Sequence, residues 1–213
     1  MKTTIITLLT ILLIPFAFIN PQGPYGFESA YVEMWSTTNT SGIEIKTFKE
    51  MHITGHGNYI TTYTTEWRNI PMANIVDSSK SVHIVCGNEI IYYDPVTREG
   101  TKTKSDLAAT FKGMSKEDQK KIAEGMMEGT NTKITDGGTG EVAGKPCTIT
   151  IAETNMMGFK MIVETWYYKN FVMKNKSKEP NVDEYVTVFN EGVEIDPNKT
   201  SVPPDVNIKE TQY

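Results

Sequence analysis

The stretch from Glu141 to Lys174 constrains the fold most, because apolar and polar residues alternate along two arms joined by a Met-Met-Gly turn. Alternation with a period of two is typical of a β-strand with one buried face. The two sets predicted to share a face within their own arm are Cys147, Ile149 and Ile151 on the first arm and Phe159, Met161 and Val163 on the second. The pattern therefore predicts a β-hairpin that needs a core.

Strand-like segments of the same kind lie on both sides of this hairpin. Tyr31–Trp67 predicts an antiparallel meander, a second hairpin turns at Gly87-Asn88, and Val182–Phe189 predicts a further strand. The glycine-rich stretch Asp136–Gly140 is predicted to be a turn. It leads into a strand and does not join a strand to a helix, so it lacks the context of a phosphate-binding loop.

Helical periodicity occurs in one region only. Ser105 can cap a short helix that ends at Gly113, and Ser115 can cap a longer helix over Lys116–Glu128. The longer helix carries an apolar stripe but is too short to be stable alone. We therefore expect it to pack on the sheet.

The first residues predict export. Lys2 precedes the apolar run Ile5–Ile19, which is shorter than the roughly 20 residues of a transmembrane helix. We predict a signal peptide at 1–20, a linker at 21–28, one domain at 29–208 and a tail at 209–213.

The charges argue against nucleic acid as a partner. The formal net charge is −5, and the 21 basic residues are scattered along the chain. One local cluster comprises Lys169, Lys174, Lys176 and Lys178. It is read as a solvated loop after a strand, with a patch for anionic lipid headgroups as the alternative.

No catalytic, metal-binding or cofactor motif is apparent, so we expect a protein that is not an enzyme and has no cofactor and no metal. His52 and His56 are expected at the surface, and His83 in a structural role. Cys86 and Cys147 form either a disulfide, which an exported compartment permits, or two buried thiols. An unrecognised hydrolase is a minor alternative.

Eleven methionines are a high number for 213 residues, and most of them cluster near the predicted helix and hairpin. Methionine fills irregular gaps and also lines surfaces that accept variable apolar partners. These residues therefore predict either an ordinary core or an apolar cavity.

Three segments carry a resemblance to a known family: Ser115-Lys116-Glu117, the approach Glu141–Cys147, and Val202-Pro203-Pro204-Asp205-Val206. Over Tyr31–Ile208 the chain resembles the LolA/LolB-like superfamily of bacterial lipoprotein-sorting and lipid-binding proteins. Within it, the chain is most similar to uncharacterised secreted proteins of the DUF4412 type. Neither Arg68 nor Arg98 matches the cavity arginine of the sorting proteins, so escort of a lipoprotein is not implied.

The resemblance implies a mainly β (α+β) fold. In it, a strongly curved antiparallel sheet forms an incomplete barrel, and one or two helices pack in the concave face. It also implies a periplasmic or secreted bacterial protein that holds a lipid or other apolar ligand, with an envelope protein as a further candidate partner. The residues expected to line the ligand cavity are Met114, Ile122, Met126, Met127, Met156, Met157 and Met161. The alternative is a protein-interaction or stress-sensing module without a small ligand.

Overall fold

A computed structural model describes residues 23–40, 42–71, 74–104, 132–156, 159–178 and 181–211. Most of them belong to twelve β-strands, and the two short 3-10 turns are Gly55–Gly57 and Pro197–Lys199. The strands are β1 Ala30–Thr40, β2 Ile43–Thr54, β3 Tyr59–Ile70, β4 Ile75–Cys86, β5 Glu89–Tyr93, β6 Glu99–Lys104, β7 Thr132–Val142, β8 Lys145–Met156, β9 Phe159–Tyr168, β10 Phe171–Ser177, β11 Asn181–Glu191 and β12 Asn207–Thr211.

Three predictions lie outside the described residues: the signal peptide and the two helices at Ser105–Gly113 and Lys116–Glu128. Within the described ranges there is no α-helix, and none of the helical turns is long and apolar enough to span a membrane.

All twelve strands form one sheet in the order β12-β6-β5-β4-β3-β2-β1-β11-β10-β9-β8-β7. The meander β1–β3 and the hairpins β4–β5 and β8–β9 are confirmed. Each pair of neighbouring strands is antiparallel except β12 and β6, which are parallel. The two edges, β12 and β7, are not paired with each other, so the sheet is not closed into a barrel.

The sheet is nevertheless strongly curved. Strand β7 approaches β11 even though three strands lie between them. In a flat sheet, these four strand steps would place β7 and β11 about 19 Å apart. We call the face of β1 that carries Ala30, Val32 and Met34 the inner face, and the opposite face the outer face.

The main core lies where the sheet curls: it joins the inner face of β1 to Cys147, Trp166 and Tyr168, which lie on the face of β8 and β9 opposite Val163. Its fully buried side chains include Val32, Ile53 and Met173. Phe27, which precedes β1, is 2% exposed and packs edge-on against Phe189. The described part of the predicted 21–28 linker therefore packs on the domain.

A second, smaller core lies on the outer face. It contains Val82, Ile84 and Tyr93, and the partly buried residues packed against it include Val202 and Val206. The stretch 192–206, here called the C-terminal segment, supplies these two valines and crosses the outer face without regular structure except for one 3-10 turn.

The register of the hairpin β8–β9 adds a relation between its two arms that the sequence left open. The return arm is as predicted, since Val163 is 8% exposed and Ile162 is 39% exposed. The register pairs Val163 with Ala152, and paired residues share a face of the sheet. Ile149 and Ile151 therefore lie on the opposite face from Val163.

The glycine-rich stretch is a strand, so the predicted turn is wrong. Residues 136–140 lie within β7, which pairs with β8 through a β-bulge between Asp136 and Gly138. Gly138 has φ +86°, and its N–H donates to the Asp136 carboxylate over 2.7 Å. Glycine is needed here for an edge strand with a bulge.

Candidate functional site

The predicted ligand cavity is only partly visible in the described residues. Met114, Ile122, Met126, Met127 and Met157 lie outside them, and Met156 is described only as the last residue of β8. Met161 is the predicted cavity residue whose side-chain surroundings the structure shows.

Met161 is half-buried on the inner face of β9. It pairs with Thr154, which is 9% exposed, and the next pair on this face is Val163 with Ala152, 8% and 6% exposed. We call these four residues the apolar floor. Three aliphatic side chains and a threonine methyl group can contact hydrocarbon but cannot perform acid–base or nucleophilic chemistry.

Polar side chains continue the inner face on the neighbouring strands. Thr165, 2% exposed, donates a hydrogen bond to the Asn175 side-chain oxygen over 2.7 Å. Ser177 pairs with Val163 and is 6% exposed, and its hydroxyl oxygen has no hydrogen-bond partner. A buried hydroxyl without a partner costs about 1–3 kcal/mol, which a ligand polar group can offset.

A partly buried ion pair adjoins these residues. Glu184 pairs with Asn175 across β11 and β10, is 8% exposed, and lies 2.6 Å from the Lys49 ammonium. We call Lys49, Thr165, Asn175, Ser177 and Glu184 the polar rim. The inner face thus places an apolar area directly beside buried polar and charged groups.

Two shallow, open depressions lie away from Met161. One has a volume of about 280 Å³ and is lined by Thr139, Pro146, Cys147, Thr148, Tyr167, Lys169 and Asn170. The other, of about 350 Å³, lies at the C-terminal segment and is lined by Tyr31, His52, Asn190, Val193, Glu194, Ile195, Asp196 and Lys199. Neither includes a predicted cavity residue.

His52 is buried, so its predicted surface position is wrong. It is 6% exposed, its Nε2 lies 2.8 Å from the Glu50 carboxylate, and its ring contacts the rings of Tyr31 and Tyr63. Burial and a hydrogen bond to Glu33 raise the pKa of Tyr31 strongly. Thr61 pairs with His52 across β2 and β3 and is 1% exposed, and its buried hydroxyl has no hydrogen-bond partner.

His83 lies within strand β4. Burial lowers the pKa of His83, which favours the neutral ring of a structural histidine. No group of three or more potential metal ligands occurs among the described residues.

Both cysteines are free thiols. Cys147 is 2% exposed, and burial raises the pKa of its thiol, which disfavours the reactive thiolate. Cys86 is half-buried on β4, and six strands lie between β4 and β8 in the sheet order. The structure therefore contains two separate thiols and not the disulfide that the sequence permitted.

The lysine cluster is divided between two places. Lys169 lies in the β9–β10 turn and forms an ion pair with Glu191. Lys174 and Lys176 lie within strand β10, and Lys178 follows its end. The interpretation of these lysines as a solvated loop is thus wrong for Lys174 and Lys176.

No known family model matches the chain, and no curated protein matches it in sequence. Among solved structures, MucB aligns with 93% of this chain at 10% identity and a TM-score of 0.48. The chain spans only 64% of MucB. LprF from Mycobacterium bovis aligns with 85% of this chain and 91% of its own, at 10% identity and a TM-score of 0.34.

A further similar structure is a putative outer membrane lipoprotein-sorting protein domain from Vibrio parahaemolyticus. It aligns with 82% of this chain and 90% of its own, at 8% identity and a TM-score of 0.20. All three TM-scores are below 0.5, so these likenesses establish neither a family nor a function.

Proposed function

We propose that the protein is an exported, non-enzymatic binding protein that holds a lipid or other apolar ligand against the inner face of its curved sheet. One observation carries this proposal: the apolar floor around Met161 lies directly beside the polar rim. The hydrocarbon part of an amphiphilic ligand would cover the floor, and its polar end would reach the rim.

The energetics favour a ligand with a long hydrocarbon chain. Each CH₂ group removed from water contributes about 0.8 kcal/mol, so a chain of ordinary length needs few polar contacts. The unpartnered hydroxyl of Ser177 and the ion pair of Lys49 with Glu184 are available to a headgroup. Curvature supports the proposal as well, because a curled sheet surrounds a chain on more than one side.

The proposal of a protein that is not an enzyme is supported by the chemistry of its described histidines and cysteines. The His52 ring lies within hydrogen-bond distance of the Glu50 carboxylate, and Cys147 is a buried thiol of raised pKa. Export to a bacterial envelope is supported by the charged and apolar N-terminal run of the sequence.

Native mass spectrometry tests the proposal. The protein would be purified from its own host and measured before and after organic extraction. We expect an additional mass that extraction removes. A bare protein that also takes up no apolar dye would overturn the proposal.

Two substitutions at neighbouring positions locate the ligand. Met161→Asp places a charge on the inner face, whereas Ile162→Asp places the same charge on the outer face, where Ile162 is already 39% exposed. We expect the first variant to lose uptake of an apolar dye and the second to keep it. Equal uptake by both folded variants would show that the ligand does not lie on the apolar floor.

A second candidate function is binding of a protein through an exposed strand. It is favoured by β7, an edge strand whose side chains are mostly exposed and which contains three glycines. A partner can add a strand to such an edge through main-chain hydrogen bonds. A bare mass together with absent dye uptake would favour this function.

A further inference from the structure

The three tryptophans of the chain occupy two neighbouring rows on one face of the sheet: Trp35 and Trp166 lie in one row, and Trp67, which pairs with Lys46, lies in the next. The register pairs Phe48 with Trp35, Trp35 with Tyr185, Tyr185 with Lys174, and Lys174 with Trp166, so these side chains share one face. Trp67 stacks on Trp35, with ring centroids 5.8 Å apart and planes 13° apart. We call Phe48, Trp35, Trp67, Tyr185 and Trp166 the aromatic ladder.

Three rings of the aromatic ladder are exposed, whereas Phe48 is half-buried and Trp166 is half-buried against the main core. Trp35 and Trp67 are each 37% exposed, and Tyr185 is 41% exposed. The C-terminal segment covers the outer face as far as Tyr63, whose hydroxyl donates to the Lys199 carbonyl oxygen. The ladder begins in the next row of the same face, and a cluster of exposed aromatic rings marks a binding surface.

One end of the ladder carries lysines. The Lys174 ammonium lies 5.1 Å from the centre of the Trp166 ring, and Lys176 and Lys178 follow at alternate positions. Among the described residues, no carboxylate forms an ion pair with any of these three lysines. The acidic neighbours of Lys176 across the strands are Glu164 and Asp183, and one carboxylate oxygen of Asp183 is buried.

We propose that the aromatic ladder and these three lysines dock the protein onto a lipid bilayer with anionic headgroups. Tryptophan and tyrosine favour the membrane interface because they combine an apolar ring with a polar group. Lysine covers apolar surface with its stem while its ammonium stays in water, as Lys174 does over Trp166. Neither depression described above includes a ladder residue, so the ladder is not built as a pocket for a small molecule.

Intrinsic fluorescence tests this proposal directly, since the chain has no tryptophan outside the ladder. Vesicles of phosphatidylcholine with 30% phosphatidylglycerol would be compared with vesicles of phosphatidylcholine alone. We expect the anionic vesicles to shift tryptophan emission to shorter wavelength, to protect it from acrylamide, and to quench it when their lipids are brominated. An emission spectrum unchanged by anionic vesicles would overturn the proposal.

Substitutions that remove charge test how much the three lysines contribute to vesicle affinity. Each lysine near an anionic surface strengthens binding roughly fivefold, so the triple variant K174Q/K176Q/K178Q should bind about 100-fold more weakly. The matched control is K133Q/K209Q, which neutralises exposed lysines on β7 and β12. Equal loss in both variants, or equal affinity for neutral and anionic vesicles, would show that the three lysines do not direct docking.

Substitutions of aromatic residues test how much the ladder contributes to vesicle binding, which is measured by co-sedimentation. The variant W35A/W67A should bind at least about tenfold more weakly, because it removes two rings that would leave water on docking. Tyr92→Ala, at a site 50% exposed, is the control and should bind like the unmodified protein. If W35A/W67A is folded and binds normally, the ladder is not the docking surface.

This proposal is independent of the ligand on the inner face. Met161→Asp should leave vesicle binding unchanged, because Met161 lies on the opposite face of the sheet. Vesicle binding lost in Met161→Asp but kept in the ladder and lysine variants would overturn docking through the outer face.

Discussion

Alanine placed in turn at three glycines of β7 should destabilise the protein to three different degrees. A Cβ atom at Gly137 would lie 2.7 Å from the Ile149 Cγ2 methyl and 3.1 Å from Ile151 Cγ1. The Ile149 methyl is attached to a β-branched carbon and cannot move away alone. We therefore expect Gly137→Ala to lose about 1–3 kcal/mol of unfolding free energy, as overpacking does.

Gly138 and Gly140 have other reasons to be glycine. Gly138 has φ +86° and no atom within 4 Å of an added Cβ, so alanine costs backbone strain only. That strain of about 1–2 kcal/mol is partly offset by a gain of about 0.4–1 kcal/mol through the unfolded state. At Gly140 the nearest atom is Trp166 Nε1 at 3.0 Å, the end of a movable side chain. Gly140→Ala should therefore be close to neutral.

Urea unfolding followed by circular dichroism at 25 °C would measure the series. We expect stability to decrease in the order Gly140→Ala, Gly138→Ala, Gly137→Ala. Gly138→Asn should be milder than Gly138→Ala, because asparagine tolerates positive φ. A Gly138→Ala variant as stable as the unmodified protein, or a Gly140→Ala variant less stable than Gly137→Ala, would contradict the bulged strand.

Three further predictions concern charge and packing. Burial raises the pKa of Glu191, but hydrogen bonds from Lys169 and Tyr168 outweigh it and hold that pKa below its ordinary 4.5. Glu191→Gln should therefore cost about 1 kcal/mol at pH 7, and this difference should vanish as the pH falls through the lowered pKa, in unfolding curves measured from pH 7 to 3. Burial holds the pKa of His83 below its ordinary 6.5, so the unfolded chain binds a proton more readily than the folded protein as the pH falls. The free energy of unfolding should therefore decrease between pH 7 and 5, and His83→Gln should make this decrease smaller. Met173→Ala should cost about 2–5 kcal/mol in urea unfolding because Met173 is fully buried, whereas a cost below 0.5 kcal/mol would mean that the core is not packed as described.

The sequence predicted the strands well because alternation reports local burial. The hairpin β8–β9, the meander and the turn at Gly87-Asn88 all follow from period-two patterns and turn residues. Which residues of the two arms share a face could not be predicted, because this depends on the register between the strands. A register that pairs Ala152 with Val163 sends Ile149 to the other face, and both faces of this hairpin carry apolar residues.

The glycine stretch was misread for a related reason. Glycine favours turns in general, and only the proximity of Ile149 and Trp166 explains why residues 137 and 140 lack side chains within a strand. His52 was predicted at the surface because no sequence pattern indicates that the C-terminal segment crosses the outer face, where His52 lies. Met161 was the one predicted cavity residue with described surroundings. The polar rim beside it was missed, because its members come from four strands distant in sequence.

The central position of β1 has a consequence for how the chain becomes a folded protein. One side of β1 pairs with β2 nearby, but the other pairs Ala30 with Glu191, more than 150 residues later. Contacts of such long sequence separation form late, so the growing chain keeps one side of β1 open until β11 is available. A chain that stops before β11 exposes the middle of the sheet as an edge, ready to pair with another molecule. Degradation from the C-terminus should therefore end in aggregation and not in a smaller soluble domain.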